Sequence, residues 1–255
     1  MEGLLLELAE AVDRAVRELA EDPGEVVGRG ADGAPSHRID RVAEQAVLRF
    51  LDYEDVKVDV LSEEAGRLNR GGEGLLVLDP IDGTHNAIRG IPAYAVSLAL
   101  GERTLSDVHE GLVRDLATGA TYHARKGHGA TLNGRTIRVR RFVPEDALFT
   151  MYLGSNAHPD VAMKTSRARR VRSFGAASLD LCLVARGAAD LYYMHSAAVE
   201  TKLRVVDIAA GVLIVREAGG VVEDLEGRDL DLPLRSDPRT DLVAFGDPRA
   251  REAIR

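Results

Sequence analysis

The chain contains no tryptophan, and aromatic residues make up only 4% of its 255 positions. No cluster of rings stands out that could stack nucleic-acid bases. There is one cysteine, Cys182, so no intramolecular disulfide can form. It sits in the apolar stretch Leu179-Asp180-Leu181-Cys182-Leu183-Val184, with nothing basic beside it, and reads as a buried, unreactive thiol. No apolar run approaches the roughly 20 residues that cross a bilayer, so no membrane association is expected. Low-complexity tracts and repeats are also missing. A basic excess is lacking: the net charge is −8. That argues against a general nucleic-acid binder, which needs a basic face. It leaves anionic substrates open, because bound cations can reverse a local field. The opening Met1-Glu2-Gly3-Leu4-Leu5-Leu6-Glu7 has no basic segment ahead of its leucines. It reads as an amphipathic helix rather than a signal peptide, which points to the cytoplasm.

What is present is a globular composition, 45% hydrophobic, long enough for one large core. Leu5, Leu8, Ala9, Val12, Val16 and Leu19 recur at helical spacing over residues 4–20, and Asp22-Pro23-Gly24 stops that helix. The glycine-rich stretch 28–35 predicts a loop or loose hairpin. A second helix is expected over 39–51, with Ile39, Val42, Ala43, Ala46, Val47 and Phe50 on one face. The period then changes to two at Val56, Val58 and Val60, and Leu75–Leu78 forms a short apolar strand running into Asp79. Further strands are expected at 93–100, 110–113 and 121–124, with a turn at Leu132-Asn133-Gly134-Arg135. From about residue 140 strands alternate with helices: strands at 148–152, 171–174, 190–193 and 220–222, helices near 159–168, 176–187 and 207–218. The expectation is a single domain. Its first half, 1–140, carries helices and a mainly antiparallel sheet; its second half, 141–255, is α/β, with no linker between them.

The chemistry lies in the acids. Glu63 and Glu64 follow one strand, Asp79 and Asp82 another, and Asp207 opens the helix Ile208-Ala209-Ala210-Gly211. Carboxylates gathered at strand ends are costly unless something neutralises them. Mg²⁺, which prefers carboxylate, carbonyl and water oxygens, does so. In Asp79-Pro80-Ile81-Asp82-Gly83-Thr84 the proline fixes the backbone so that two carboxylates and a carbonyl can face an ion pair. Gly83 allows close approach, Thr84 can cap the next turn, and the amides there suit a phosphate. Two ions about 3.5–4 Å apart could clamp an attacking water and a leaving oxygen. Each piece has a plainer reading: Asp-Pro-x-Asp-Gly-Thr as a turn, Glu63-Glu64 as a solvated surface, Asp207 as a helix cap. The combination is what points to a site.

Three motifs in order, Leu61-Ser62-Glu63-Glu64, Asp79-Pro80-Ile81-Asp82-Gly83-Thr84 and Val206-Asp207-Ile208-Ala209-Ala210-Gly211 leading to Glu217-Ala218-Gly219-Gly220, resemble the inositol monophosphatase family. Within it they resemble the archaeal type active on both inositol 1-phosphate and fructose 1,6-bisphosphate. A weaker match is Ser173-Phe174-Gly175-Ala176-Ala177-Ser178-Leu179, and the similarity runs from residue 5 to about 248. The resemblance implies an α/β (α+β) fold, layered α/β/α/β/α in the manner of sugar phosphatases, and a homodimer. It implies two or three Mg²⁺ ions per site and sensitivity to Li⁺. Glu63, Asp79 and the Ile81 carbonyl would hold the first ion, and Asp79, Asp82 and Asp207 the second. Glu63 would help hold a third through water, and Asp32 could approach that ion. Thr84, oriented by Asp40, would position the nucleophilic water. The amides of Asp82, Gly83 and Thr84 would bind phosphate, and Ala177 and Glu200 would reach the rest of a sugar or inositol phosphate. The loop 28–39 resembles one that closes over the metals.

The pattern also departs from that family. His85 follows Thr84 where a small or aromatic residue is expected, and packing is its simpler reading. Tyr193-Met194-His195-Ser196-Ala197-Ala198-Val199-Glu200 lacks an arginine for a substrate's far phosphate, with Lys202 and Arg204 further on. Arg172 is the candidate replacement, against a plain surface charge. Rival readings are a nucleotide phosphatase acting on NADP or adenosine 3′,5′-bisphosphate, a non-catalytic scaffold, and a Ca²⁺ module. The last lacks the dense acidic spacing of an EF-hand.

Overall fold

The computed structural model describes residues 3–31 and 33–255, so Asp32 lies outside the described residues. In chain order the elements are α1 (Leu4–Arg17), β1 (Val26–Arg29), β2 (Pro35–His37), α2 (Arg38–Tyr53), β3 (Asp59–Ser62), β4 (Gly66–Leu68), β5 (Leu75–Asp82), α3 (Thr84–Ile88), β6 (Ala95–Gly101), β7 (Glu110–Asp115), β8 (Thr121–Arg125), β9 (Gly129–Leu132) and β10 (Arg135–Ile137). They continue with β11 (Leu148–Met151), α4 (Asp160–Thr165), β12 (Arg170–Arg172), α5 (Ala177–Ala185), β13 (Leu191–Met194), β14 (Leu203–Arg204), α6 (Val205–Glu217), β15 (Val221–Glu223), β16 (Arg239–Thr240), β17 (Leu242–Phe245) and α7 (Pro248–Glu252).

Two mixed sheets carry the fold. The larger has the order β10-β9-β8-β7-β6-β5-β3-β4, antiparallel except where β3 runs parallel to β5. The smaller has the order β12-β11-β13-β17-β15, with β12, β11 and β13 parallel. Strand alternation assigns each face. On β5, Leu76 and Leu78 pack with Leu5, Leu8 and Val12 of α1 and Val47 and Leu51 of α2. Leu75 and Val77 face the other way, into the core shared with α5 and α6. On β13, Tyr192 and Met194 join that same central core, while Leu191 and Tyr193 pack outward with Val161 of α4 and Ala250 of α7. The result is five layers, α1α2, sheet, α5α6, sheet, α4α7, the sandwich that the sequence resemblance implied.

The middle layer explains the composition of its helices. Helices α5 and α6 lie between two sheets, so they are apolar on nearly every side rather than amphipathic. Their contact is tight: a Cβ on Gly211 of α6 would lie 2.6 Å from Leu181 Cδ1 of α5. Cys182 is fully buried in this layer, and burial pushes its thiol well above the ordinary range. The expectation of a buried thiol holds. None of the described helices is long and apolar enough to cross a membrane.

Two details differ from the sequence expectation. The buried side of α2 is Ile39, Asp40, Ala43, Glu44, Val47 and Leu51, so the face is rotated to include two acids, while Val42, Ala46 and Phe50 are half-buried. And β5 does not stop at Leu78. It runs on to Asp82 through a bulge: Asp79 pairs Ser97 and Asp82 pairs Ala95, so three steps on β5 oppose two on β6. Pro80, which has no N–H for a ladder bond, sits in that bulge. The stretch 28–35 is part of a hairpin, β1 paired with β2.

Candidate active site

The bulge is the first device that builds the site. Residues three apart on an unbroken strand point to opposite faces. The extra residue between Asp79 and Asp82 converts that odd separation into an even one relative to β6, and both carboxylates line one cleft. Immediately after, Gly83 adopts φ 87° and ψ 37°, the left-handed region, and caps the short helix α3. A Cβ there would lie 2.8 Å from the Ala93 carbonyl oxygen, so only glycine fits. Among the described residues the Gly83 and Thr84 amides have no hydrogen-bond partner and remain available at the cleft.

Glu63 arrives from the end of β3. Its amide donates to the Leu78 carbonyl at 3.1 Å, which holds it beside Asp79. Glu44 of α2 secures the same turn: its carboxylate accepts from the Ser62 hydroxyl and from the Ala65 amide at 2.9 Å. Asp207 stands in the first turn of α6 and caps it, accepting the Arg204 amide at 2.7 Å. Asp82 meets the start of α5, accepting the amides of Ala177 at 3.1 Å and Ser178 at 2.7 Å and the Ser178 hydroxyl. The ends of β3 and β5 and the starts of α3, α5 and α6 thus converge on one open cleft of about 230 Å³.

The electrostatics are those of anions lacking enough positive charge. Burial, then the charges of Glu63, Asp82 and Asp207, pushes the Asp79 carboxyl well above its usual range. Burial raises Asp82 to about 7 against the opposing Ser178 hydrogen bonds, with Asp207 adding to the rise. Glu63 is raised too, first by burial, with the Arg204 charge opposing. Arg204 is the cation that this cluster holds: its guanidinium pairs with Glu63 and lies 3.0 Å from Asp207 Oδ1. Four carboxylates and the Ile81 carbonyl, all on the cleft, form an oxygen-only donor set of the kind hard divalent cations take. The arginine marks where positive charge is wanted.

Thr84 and Asp40 are brought together across 44 residues. The Thr84 hydroxyl lies 2.8 Å from Asp40 Oδ1 and 2.9 Å from the Ile81 carbonyl oxygen, so its single proton has two acceptors. Asp40 is buried, and burial raises it to about 7 although the Thr84 hydrogen bond opposes this. Asn86 of α3 donates to the carbonyls of Ala93 and Phe174, both at 2.7 Å, tying this platform to the segment before α5.

The distal substrate residues fare differently. Arg172 does not line the cleft: it is exposed on the edge strand β12, donates to the Val171 carbonyl, and lines an adjoining groove that shares Ser173 with the cleft. An edge strand leaves a long side chain free to turn to solvent, which sequence spacing alone does not reveal. Glu200 is exposed on a short turn at the rim; its neighbour Thr201 lines the cleft and Glu200 does not. Ala177 does line the cleft, but its amide is committed to Asp82. His85 is exposed, edge-on to His37 with ring centroids 5.9 Å apart, and is not among the cleft residues. Met194 and Tyr152 form apolar wall.

Three residues escaped the sequence reading. Glu44 looked like an ordinary helix acid, yet it shares the Asp40 face one turn on, and that i,i+4 placement was the available signal. Arg204 was noticed only as a distant basic residue. Asp180, in the first turn of α5, is buried against the cleft with burial and Asp82 pushing its carboxyl far up.

Residues 2–250 match the model of the inositol monophosphatase family. A fructose-1,6-bisphosphatase/inositol-1-monophosphatase of Methanothermobacter thermautotrophicus is 39% identical, over 99% of this chain and 94% of its own. A bifunctional NADP phosphatase/NAD kinase of Methanococcus maripaludis is 33% identical over 96% of this chain but only 47% of its own. A solved structure from Pyrococcus horikoshii, described as having similarities to inositol-1 monophosphatase, superposes with a TM-score of 0.84 at 29% identity, covering 99% of this chain and 96% of the other. The acid cluster, the amide platform and these similarities agree: the chain belongs to the inositol monophosphatase family, and by that membership it is a phosphatase.

Proposed function

We propose that the chain hydrolyses the phosphomonoester of a small sugar or cyclitol, inositol 1-phosphate or fructose 1,6-bisphosphate, with Mg²⁺ bound at the acid cluster. The observation that carries this reading is the convergence of Glu63, Asp79, Asp82 and Asp207 on one cleft beside the unpaired amides of Gly83 and Thr84. Glu63, Asp79 and the Ile81 carbonyl would hold one ion, Asp79, Asp82 and Asp207 a second, and Glu63 through water a third. Bound there, Mg²⁺ supplies Lewis-acid polarisation of the phosphoryl group and lowers the pKa of water.

The protein's own groups do the positioning. When the Ile81 carbonyl is engaged as a ligand, the Thr84 proton is left to Asp40. The hydroxyl oxygen then presents a lone pair that orients a water for in-line attack. The Gly83 and Thr84 amides donate to the phosphate oxygens, where their dipoles stabilise charge as it builds. Arg204, which pairs with Glu63 and Asp207 at the cleft, would have to release them for cations to bind and would then be available to an anionic substrate.

The test is phosphate release with Mg²⁺ from inositol 1-phosphate, fructose 1,6-bisphosphate, glycerol 2-phosphate, NADP and adenosine 3′,5′-bisphosphate. Asp79→Asn and Asp207→Asn are expected to abolish release while keeping the far-ultraviolet circular dichroism of the wild type. Near-normal turnover in either variant would sink the metal assignment. No turnover of any compound would favour a non-catalytic scaffold. Preference for NADP would instead support the nucleotide reading, which the Methanococcus relative favours. The same family reading carries Li⁺ inhibition and a homodimer, checked by Li⁺ titration and by sedimentation.

A further inference from the structure

The phosphate end of the cleft is made of acids and amides, but its far wall holds polar groups that this chemistry does not use. That wall is built by Met151, Tyr152, Tyr192 and Met194 at the ends of β11 and β13, and by Asp180 of α5. Asp180 is only 3% exposed, and among the described residues its Oδ1 has no hydrogen-bond partner. Burial, then the Asp82 charge, pushes its carboxyl well above the usual range. Thr150, the neighbour that opposes this rise, is itself fully buried on β11. The two groups do not close a hydrogen bond, and Thr150 Oγ1 is unpartnered as well.

Tyr192 pairs with Thr150 in the register of β11 and β13, so both side chains turn toward α5. Burial, then the charges of Asp180, Asp82 and Asp207, hold the Tyr192 hydroxyl above its usual range. All three acids lie on the cleft, so the hydroxyl end of the ring is the end turned to it. No hydrogen bond among the described residues engages that hydroxyl.

Packing alone does not account for Asp180. An acid in the first turn of a helix complements its dipole. Asp180 is the fourth residue of α5, however, and the start of that helix is already held by Asp82, which accepts the Ala177 and Ser178 amides. Between two sheets of apolar side chains, an unpartnered carboxyl costs more than the dipole returns. A few open polar groups in an otherwise apolar cleft wall are how binding sites fix a ligand's orientation. Position supports this. Asp180 lies three residues past Ala177 on the same face of α5, about 4.5 Å along the axis, a depth comparable with one sugar ring. The Thr201 hydroxyl, also on the cleft, is committed to Ser196 and to the Ala198 carbonyl.

Resting on the reading of this cleft as a sugar or cyclitol phosphate hydrolase, we propose that the Asp180 carboxyl and the Tyr192 hydroxyl bind ring hydroxyls of the substrate. They thereby select polyol phosphates over phosphates of apolar alcohols. A ligand without those hydroxyls leaves both groups buried and unpaired, and that penalty is what makes such sites discriminate. Met194 and Tyr152 then pack against the apolar edges of the ring.

The test compares kcat/KM for inositol 1-phosphate and fructose 1,6-bisphosphate with kcat/KM for cyclohexyl phosphate, a monoester on a ring without hydroxyls, in excess Mg²⁺. The wild type is expected to prefer the better polyol phosphate by about 100-fold or more. Y192F and D180L should each cut that preference about 10-fold, mostly through KM for the polyol phosphate. D180N, which can still donate and accept in place of the carboxyl, should keep most of it. Y192F removes one oxygen and carries the test should D180L lose the circular dichroism of the wild type. Phosphate release from any of the three compounds tests the hydrolase reading by itself. Release without a polyol preference, a preference unchanged in Y192F and D180L, or a proportional slowing of all substrates in both variants overturns this inference alone. No release from any compound overturns both.

Discussion

Stripped of divalent metal, this protein should be more stable at about pH 5.5 than at about pH 8. Asp40 and Asp82 are both pushed up to about 7 from an ordinary 3.8, chiefly by burial. A carboxyl raised in the folded state binds a proton there that the unfolded chain has already released. The stability it contributes is full below the unfolded value and is lost as pH rises through the folded one. Between about pH 5.5 and pH 8 linkage gives about 2 kcal/mol for each of the two groups, or about 4 kcal/mol together. Glu63 and Asp79 are raised in the same direction and add to the trend. Asp13 and Asp160 are held below the ordinary range by arginine and by tyrosine and histidine partners respectively, against the opposing effect of burial, so they titrate below this window. In a chain of this size, about 4 kcal/mol corresponds to a shift in Tm on the order of 10 °C.

The assay is urea denaturation across that pH range, in chelator and in saturating Mg²⁺. In chelator the midpoint should fall as pH rises. In Mg²⁺ the ionised carboxylates bind the cations, worth about 2.7 kcal/mol at a hundredfold excess over Kd, and the fall should flatten or reverse. Asp40→Asn should remove about 2 kcal/mol of the chelator slope. A chelator midpoint that is flat or rises with pH would refute the reasoning, as would a slope unchanged in Asp40→Asn.

Arg204→Met leaves Glu63 and Asp207 without their buried counter-charge. It should cost the metal-free protein about 3–5 kcal/mol in urea denaturation, while calorimetry shows tighter Mg²⁺ binding because no guanidinium competes. Thr84→Val removes the hydroxyl bridging Asp40 and the cleft and should lower kcat about 10²–10⁴-fold with KM nearly unchanged, whereas Thr84→Ser should retain most activity. Gly211→Ala places a methyl against Leu181 and should destabilise the central layer by about 1–3 kcal/mol, read as a shifted denaturation midpoint with normal metal binding.

Much of this molecule was legible from local pattern. Helical and strand periods located α1, α2, α5, α6 and most strands, because one-sided burial imposes a period of 3.6 or 2 whatever the partner. The uniformly apolar α5 and α6 also made sense once two sheets enclosed them. Spacing failed where a side chain's direction depends on something outside its own element. The face of α2 was drawn from apolar residues alone, and so omitted Asp40 and Glu44, which are buried because a strand end and a threonine hydroxyl meet them. Arg172 looked like a substrate contact because it is basic and near a motif; its edge position turns it elsewhere.

The motifs Glu63-Glu64, Asp79 to Thr84 and Asp207 to Gly211 supplied the residue types on which the proposed chemistry rests, since residue types limit which ligands and proton carriers are possible. Only the fold decided that they line one cleft. The bulge at Pro80 turns Asp79 and Asp82 to one side, Gly83 opens the amides, and five layers bring residues 40, 63, 84, 204 and 207 within reach of one another. Convergence across such separations comes from long-range packing, and no local spacing encodes it.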